Sequence, residues 1–418
     1  MKKMLKVVAM VGILFGFAFG AQAEDTVKIG MLTTLSGPFE FVGRIYVSGA
    51  KFAVDEQNAK GGLLGKKIEL IIEDDEFKAD VAVRRARNLI LEKQINILNG
   101  AVGSAASIAL NKVADANKTI LINHTATADS IQGKEFTRYG FRVITNQYSI
   151  IAALANVLAT KPFKSYYILN QDYALGRDSA AAFKTLLASR LPSTAIVGED
   201  YHPPATKDFA PYINKIIAAK AEVIATSDFG PDFTNLVKQA RSLGLKDAKF
   251  VALWAGGDPY AMNALKDDAI GIYHANGYSM RVNTPENQKM IAAYHEQHKN
   301  DKDFQTWWPY AQIGQSILGL RMVFAAVEKA GSLDPEKIIS TFEGFKYESA
   351  VGLFTMRACD HQTLMPIFVG LMEGGPNPYF NGSIRPEVNF PWEGPNIVTV
   401  PADQIALPAT PSYNERCK

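Results

Sequence analysis

Histidine and cysteine are scarce in this chain, at six and two residues of 418. Two thiols, Cys359 and Cys417, cannot build a disulfide framework or a four-thiolate zinc site. Six histidines leave little general-base equipment, although carboxylates could still serve. Blocks of one charge sign are absent too: 44 Lys and Arg face 42 Asp and Glu, for a net charge of +2. Neither nucleic acid nor an anionic membrane surface is therefore indicated as a partner. Beyond the amino-terminal segment, no window approaches the roughly 20 apolar residues of a membrane-spanning helix.

Catalytic signatures are also lacking. His295-Glu296-Gln297-His298 has one residue too few between its histidines for the i, i+4 zinc helix and reads as a solvated helix face. Glu73-Asp74-Asp75-Glu76 lacks the alternating ligands of a calcium loop and reads as a solvated turn or helix cap. Gly61-Gly62-Leu63-Leu64-Gly65-Lys66 lacks phosphate-loop spacing and precedes a strand, so a turn suffices. Ser104 stands in Val-Gly-Ser-Ala-Ala, without the second glycine of a nucleophile elbow. No cofactor or metal is expected, and an enzyme is not.

What the chain does carry begins with Lys2, Lys3 and Lys6, an apolar run over 7–19, and the small-residue triplet Ala21-Gln22-Ala23. That is the pattern of an export signal cleaved after Ala23, with a retained anchor as the alternative. No cysteine follows the triplet to hold a lipid. Short β-branched runs then alternate with longer helical stretches, which predicts stacked βαβ units and parallel sheets. Strands are expected at 27–33, 68–74, 95–100 and 119–123, with helices at 43–59, 80–92 and 104–117. A second series follows, with strands at 165–170, 195–201, 223–227, 249–254 and 271–276 and helices at 175–189, 209–219 and 231–243. Residues 284–342 read as helical and 352–370 as paired strands. Eight prolines from Pro376 to Pro411 make the tail an extended wrap or a loose end. Two such sheets make two lobes, and open parallel sheets bind ligands beyond the carboxyl ends of their strands, here in the cleft between lobes.

Five motifs occur in order: Ser36-Gly37-Pro38, Asn58-Ala59-Lys60-Gly61-Gly62, Asp74-Asp75, Asp172-Tyr173-Ala174-Leu175-Gly176 and Gln239-Ala240-Arg241-Ser242-Leu243-Gly244. Together they resemble the leucine/isoleucine/valine-binding family of periplasmic receptors. The resemblance extends to about Gly374 and implies a type I fold: two α/β lobes, each a parallel sheet flanked by helices, joined by three hinge crossings. The expected layout is a signal peptide at 1–23, a first lobe at 24–146 and 277–352, a second at 147–276 and 353–374, and an extension at 375–418. A Cys359–Cys417 bond, if formed, would fasten the tail to the second lobe. The implied protein is a periplasmic monomer that performs no chemistry and hands a small carboxylate to a permease and ATPase. A sensor module and a secreted hydrolase are the readings from other classes.

The resemblance also implies that Ser104, Ala126 and Thr127 grip the ligand carboxylate. Ser104 opens a helix and Thr127 follows the next strand, so hydroxyls and free amides stand side by side for an anion. The second lobe departs from the amino-acid pattern. Trp254 replaces the acidic residue that neutralises the ligand ammonium, Phe229 stands where tyrosine is common, and Leu175 replaces another aromatic. An unpaired buried ammonium would cost about 3 to 5 kcal/mol, although Asp228 beside Phe229 could substitute. With Phe39 and Phe41 after the first strand, the cleft suits an aromatic or hydrophobic carboxylate such as a benzoate, phenylpropenoate or oxo acid. A branched-chain or aromatic amino acid is the alternative.

Overall fold

The computed structural model describes residues 26–382, 385–392, 394 and 396–417. The export signal and its cleavage point lie outside the described residues. Among those described, no helix is long and apolar enough to cross a membrane.

The first lobe starts with β1 (Val27–Thr33), α1 (Glu40–Ala59), β2 (Ile68–Asp74), α2 (Ala79–Leu91), β3 (Ile97–Asn99), α3 (Ser104–Ala116), β4 (Ile120–Asn123) and β5 (Gly140–Arg142). The five strands form one parallel sheet in the order β2-β1-β3-β4-β5. Both faces of such a sheet are covered, so β1 and β4 are almost wholly buried and apolar. After α1 the chain turns at Gly62, whose φ of +82° and a carbonyl 2.0 Å from any added Cβ leave room for glycine alone.

The second lobe comprises α4 (Gln147–Leu158), β6 (Ser165–Gln171), α5 (Ala174–Arg190), β7 (Ala195–His202), α6 (Ala210–Ala218), β8 (Val223–Thr226), α7 (Gly230–Ser242), β9 (Lys249–Ala252), α8 (Pro259–Leu265) and β10 (Ile272–Asn276). The chain then returns to the first lobe with α9 (Pro285–His298), α10 (Ala311–Ala330), α11 (Pro335–Phe342), β11 (Lys346–Ser349), β12 (Gly352–Met356) and β13 (Thr363–Leu364). It finishes with β14 (Ile367–Leu371), β15 (Val398–Val400) and α12 (Ala402–Ile405). The second sheet runs β15-β14-β10-β9-β8-β6-β7, with β14 and β15 antiparallel at one edge.

Core membership fixes where the chain changes lobe. Val143 belongs to the first core and Ile150 to the second; Ala275 to the second and Tyr278 to the first; Met365 to the first and Ile367 to the second. These are the three crossings of the hinge; beside them, Trp307 reaches into the second lobe's core from between α9 and α10, and Trp392 of the tail into the first. The strands expected over 352–370 therefore divide: Phe354 and Met356 of β12 pack in the first core, and only β14 joins the second sheet. Cys359 and Cys417 are bonded, with Cα atoms 5.0 Å apart. The bond fastens the tail to the first lobe, not the second as expected, because Cys359 follows β12 and neighbouring Asn414 donates to Gln132 O.

Candidate ligand-binding cleft

The cleft is built by loops at the carboxyl ends of β1, β3 and β4 on one side and β6, β8 and β9 on the other. Phe39 and Phe41 flank the start of α1, and Phe229 precedes α7. The structure brings them together across the lobes. The Phe39 ring lies 5.4 Å from that of Phe229 and 4.4 Å from that of Phe77. Phe41 stacks 6.0 Å from Tyr260 of α8, and Gly230 faces the Phe41 ring edge. Phe77 and Tyr260 are members that the sequence reading missed. Their signal was position, since both follow strand ends by a few residues. Phe77 was hidden in an acidic run read as a solvated turn.

That run is in fact a bracket between strand ends. Asp75 is buried; its Oδ1 accepts from Thr34 Oγ1 at 2.6 Å and Phe77 N at 2.9 Å. Asp74 accepts from Leu35 N and Glu76 N, both at 2.8 Å. His295 and His298 are likewise packed rather than solvated. The His295 ring stacks on Trp308 at 3.5 Å, while His298 lies over Tyr294 and reaches Asp301. No group of three metal-ligating side chains exists among the described residues.

Ser104 is the first residue of α3, and the cap position belongs to Gly103, which has no side chain to offer. The first amides of α3 thus lack intrahelical partners and meet the positive end of the helix dipole. Beside it, Asn123 folds the loop after β4: its Oδ1 accepts from Thr125 N at 3.2 Å and Ala126 N at 3.0 Å, and its Nδ2 donates to Ala126 O at 2.8 Å. Ala126 therefore has its amide committed to Asn123 and shapes the loop. Thr127 is buried, and its carbonyl accepts from Gln147 N at 3.0 Å, tying the loop to the first helix of the second lobe. Next to it His124 is fully enclosed, its ring 5.3 Å from that of Tyr46, and burial holds its imidazole down at about 3.

Leu175 is the second residue of α5, half-buried. Trp254, two residues past β9, is half-buried against the second core beside α4 and α5. It makes no ring contact with the phenylalanine cluster among the described residues, and its Nε1 is buried without a hydrogen-bond partner. The structure thus joins Phe39 and Phe229 directly, brings Phe41 against Tyr260 beside Gly230, and leaves Leu175 and Trp254 without ring contacts to them among the described residues.

Asp228 is fully buried, and both its oxygens are taken: Oδ1 accepts from Gln171 N at 3.0 Å and Oδ2 faces His202 Nε2 at 2.7 Å. The other His202 nitrogen faces the Pro203 carbonyl at 2.9 Å. Both ring nitrogens face acceptors, and burial pushes the Asp228 carboxyl above its ordinary value. Burial pulls the His202 pKa down, but the bond and charge of Asp228 outweigh this and leave it above the ordinary value. Both oxygens of Asp228 thus have their partners inside the lobe.

Asp258, which caps α8 through Tyr260 N at 3.0 Å and Ala261 N at 3.4 Å, supplies a pH test. Burial pushes its carboxyl up to about 6, above an unfolded value near 4. The fold prefers the protonated form, so this contribution is full below about pH 4 and lost as pH rises through 6. Asp258→Asn keeps the cap and removes the charge. In urea titrations its stability relative to the parent is expected to improve by about 2 kcal/mol between pH 4 and pH 8; a pH-independent difference would refute the assignment.

A partly open cavity of about 40 Å³ lies beside the hinge between His274, Asn276, Tyr278, Tyr310 and Trp392. It shares none of the cleft residues above, and one wall is the segment carrying Phe380, Phe390 and Trp392.

The chain thus forms two lobes on parallel-rich sheets, with aromatic rings of the two meeting where Phe39 approaches Phe229. The chain matches the family described as periplasmic binding protein over residues 26–376 and belongs to it. It is similar to the Leu/Ile/Val-binding protein BraC3 of Rhizobium johnstonii, 27% identical over 349 residues, covering 82% of this chain and 90% of that one. Among solved structures, it resembles an ABC-type branched-chain amino acid transporter protein of Rhodopseudomonas palustris CGA009. That likeness has a TM-score of 0.73 and 25% identity, covering 91% and 98% of the two chains. The solute-binding protein of R. palustris BisB5, solved with 3,4-dihydroxybenzoic acid, shares the fold at a TM-score of 0.75 and 23% identity over 91% and 98%. The chain is thus a solute-binding protein of the ABC-transporter type.

Proposed function

We propose that this protein collects a small aromatic or hydrophobic carboxylate outside the cytoplasm and delivers it, as a monomer and without chemistry, to a permease and ATPase. The observation that carries the ligand class is the fate of the acidic groups. Trp254 stands where an ammonium would need a carboxylate, and Asp228, the one candidate substitute, already has both oxygens engaged by Gln171 N and His202. Asp232, also buried, accepts from Gln171 Nε2 at 2.6 Å and Ala205 N at 2.9 Å. An amino acid would have to bury its ammonium unpaired, which costs several kcal/mol. A flat apolar acid meets rings from both lobes instead. Relatives stand on both sides of this choice: one protein holds a dihydroxybenzoate and another is described as a branched-chain amino acid transporter.

A thermal-shift and calorimetric comparison of benzoate, 4-hydroxybenzoate, leucine and phenylalanine separates the readings. A ligand at 100 times its Kd adds about 2.7 kcal/mol to stability, a shift that melting curves resolve. Response to leucine alone overturns the aromatic-acid reading and leaves the family assignment standing.

Ser104 and the residues around Thr127 are proposed to hold the ligand carboxylate. Ser104→Ala and Thr127→Ala are each expected to weaken binding of the responding acid by about 1.5 to 3 kcal/mol, the worth of a hydrogen bond to a charged group. Calorimetry on the two variants checks this, and native affinity in both removes them from the site.

A further inference from the structure

The tail contains a fourth passage between the lobes. It begins in the second lobe, where β15 pairs with β14 at the sheet edge and α12 packs on α4 with Ile405 buried in the second core. Arg190 Nη2 of α5 donates to Gln404 O at 3.1 Å. Three residues later, Leu407 O accepts from Arg357 Nη1 at 2.7 Å, and Arg357 is held on the first lobe by its double contact with buried Asp360. From there the tail's side chains anchor on the first lobe. Tyr413 OH donates to Asp129 O at 3.1 Å, and its ring covers Gly133, where an added Cβ would lie 2.6 Å from it. Asn414 Nδ2 donates to Gln132 O at 2.9 Å, Arg416 Nη2 to Glu343 Oε1 at 2.6 Å, and Cys417 is bonded to Cys359.

We infer that this segment is a fourth hinge crossing, locked by the Cys359–Cys417 bond, which restricts how far the lobes move relative to one another. Length and closure together set the restriction. The step from Ile405 to Leu407 is as short as that from Met365 to Ile367, and two residues span at most about 7 Å when extended, so there is no slack to absorb opening. The bond also closes a covalent ring of chain. Starting at Cys359, it enters the second lobe between Met365 and Ile367, meets the first core again at Phe368 and Trp392, and leaves the second lobe between Ile405 and Leu407. Three adjacent crossings can bend and twist through backbone rotations at a few residues. A ring threaded through both cores removes part of that freedom. The closing part of the ring, residues 377–417, lies beyond the residues matched to the family.

Distance distributions between probes on Lys112 of α3 and Lys238 of α7, both exposed, test the inference in the ligand-free protein. Probes carried on noncanonical side chains leave the cysteines untouched. Two variants are compared with the parent: Cys359→Ser with Cys417→Ser, and a flexible Gly/Ser segment of about six residues inserted between Ala406 and Leu407. The first opens the ring; the second slackens the crossing while keeping the bond. Both are expected to show a broader distribution shifted toward longer separations, at temperatures where circular dichroism shows each to be folded. A native distribution in either folded variant overturns the inference. Should the serine pair not fold, the insertion decides alone. The measurement involves no ligand, so its outcome is independent of what the cleft binds.

Discussion

Replacing Trp254 by glutamate is expected to weaken binding of the responding aromatic acid by roughly two to three orders of magnitude. The indole is half-buried past the end of β9, and its Nε1 has no partner within the described residues. Glutamate there removes a ring that can stack on the ligand and sets a second carboxylate beside the first in a poorly solvated place. An unpaired buried charge costs about 3 to 5 kcal/mol. The same change supplies the acid that amino-acid receptors of this family use, so leucine affinity should be gained or unchanged while aromatic-acid affinity falls. Calorimetry with both ligands reads the two effects separately. Native aromatic-acid affinity in the variant would place Trp254 in the core rather than the cleft. Tight leucine binding by the unmodified protein, with no response to the matching oxo acid, would mean that another group receives the ammonium.

A loss of about 3 to 5 kcal/mol in folding stability is expected for Arg142→Met, the usual result of breaking a buried charged network by removing one partner. Arg142 is wholly enclosed at the end of β5, where the chain leaves for the second lobe. Its Nη1 donates to Ala128 O at 2.8 Å and its Nε to Gln362 Oε1, while Gln362 Nε2 donates to Ile144 O at 2.8 Å. Methionine fills much of the volume, so the loss reports the abandoned acceptors and the uncompensated charge of Asp129. Burial pushes the Asp129 carboxyl up to about 6 even with Arg142 drawing it down. Without the guanidinium it rises further. The penalty is therefore expected to shrink as pH falls below 6, because the protonated carboxyl needs no partner. Urea unfolding at pH 7 and pH 5 checks both parts; a loss below about 1 kcal/mol at pH 7 would contradict the network.

Local chemistry was readable where one element decides its own fate. The bounds of β1 and β2 match the alternation of β-branched residues in the sequence, and α1 stops at the expected glycine pair. The helix α4 escaped because Gln147–Leu158 is buried nearly all round and so has no polar face to give it a period. Only the cap, Asn146 accepting from Ser149 N at 2.9 Å, marks its start. The site was legible in part for the same reason. Phe39, Phe41 and Phe229 follow strand ends, and parallel sheets gather strand ends at one edge. What occupies Asp228 was not legible, since His202 reaches it from β7, across a sheet in which β6 lies between their strands. Likewise, nothing in the local sequence indicates that Asn123 takes the amide of Ala126.

The first lobe is assembled from two stretches of chain with the second lobe inserted between them. Its helix α1 packs on α10, where Gly49 lies against Ile313 and Ser316, and Gly319 of α10 lies against Val143. This sets an order of events during folding. Strands β1 to β5 cannot cover one face of their sheet until residues some 270 positions later have arrived, as the contact from Tyr46 O to Ser316 Oγ illustrates. The inserted lobe draws most of its core from a contiguous stretch between Ile150 and Ile272 and can close early. Contacts of such wide separation slow folding and leave apolar surface open in the meantime. An amino-terminal lobe that finishes second makes the late-arriving helix α10 the segment on which aggregation or productive folding turns.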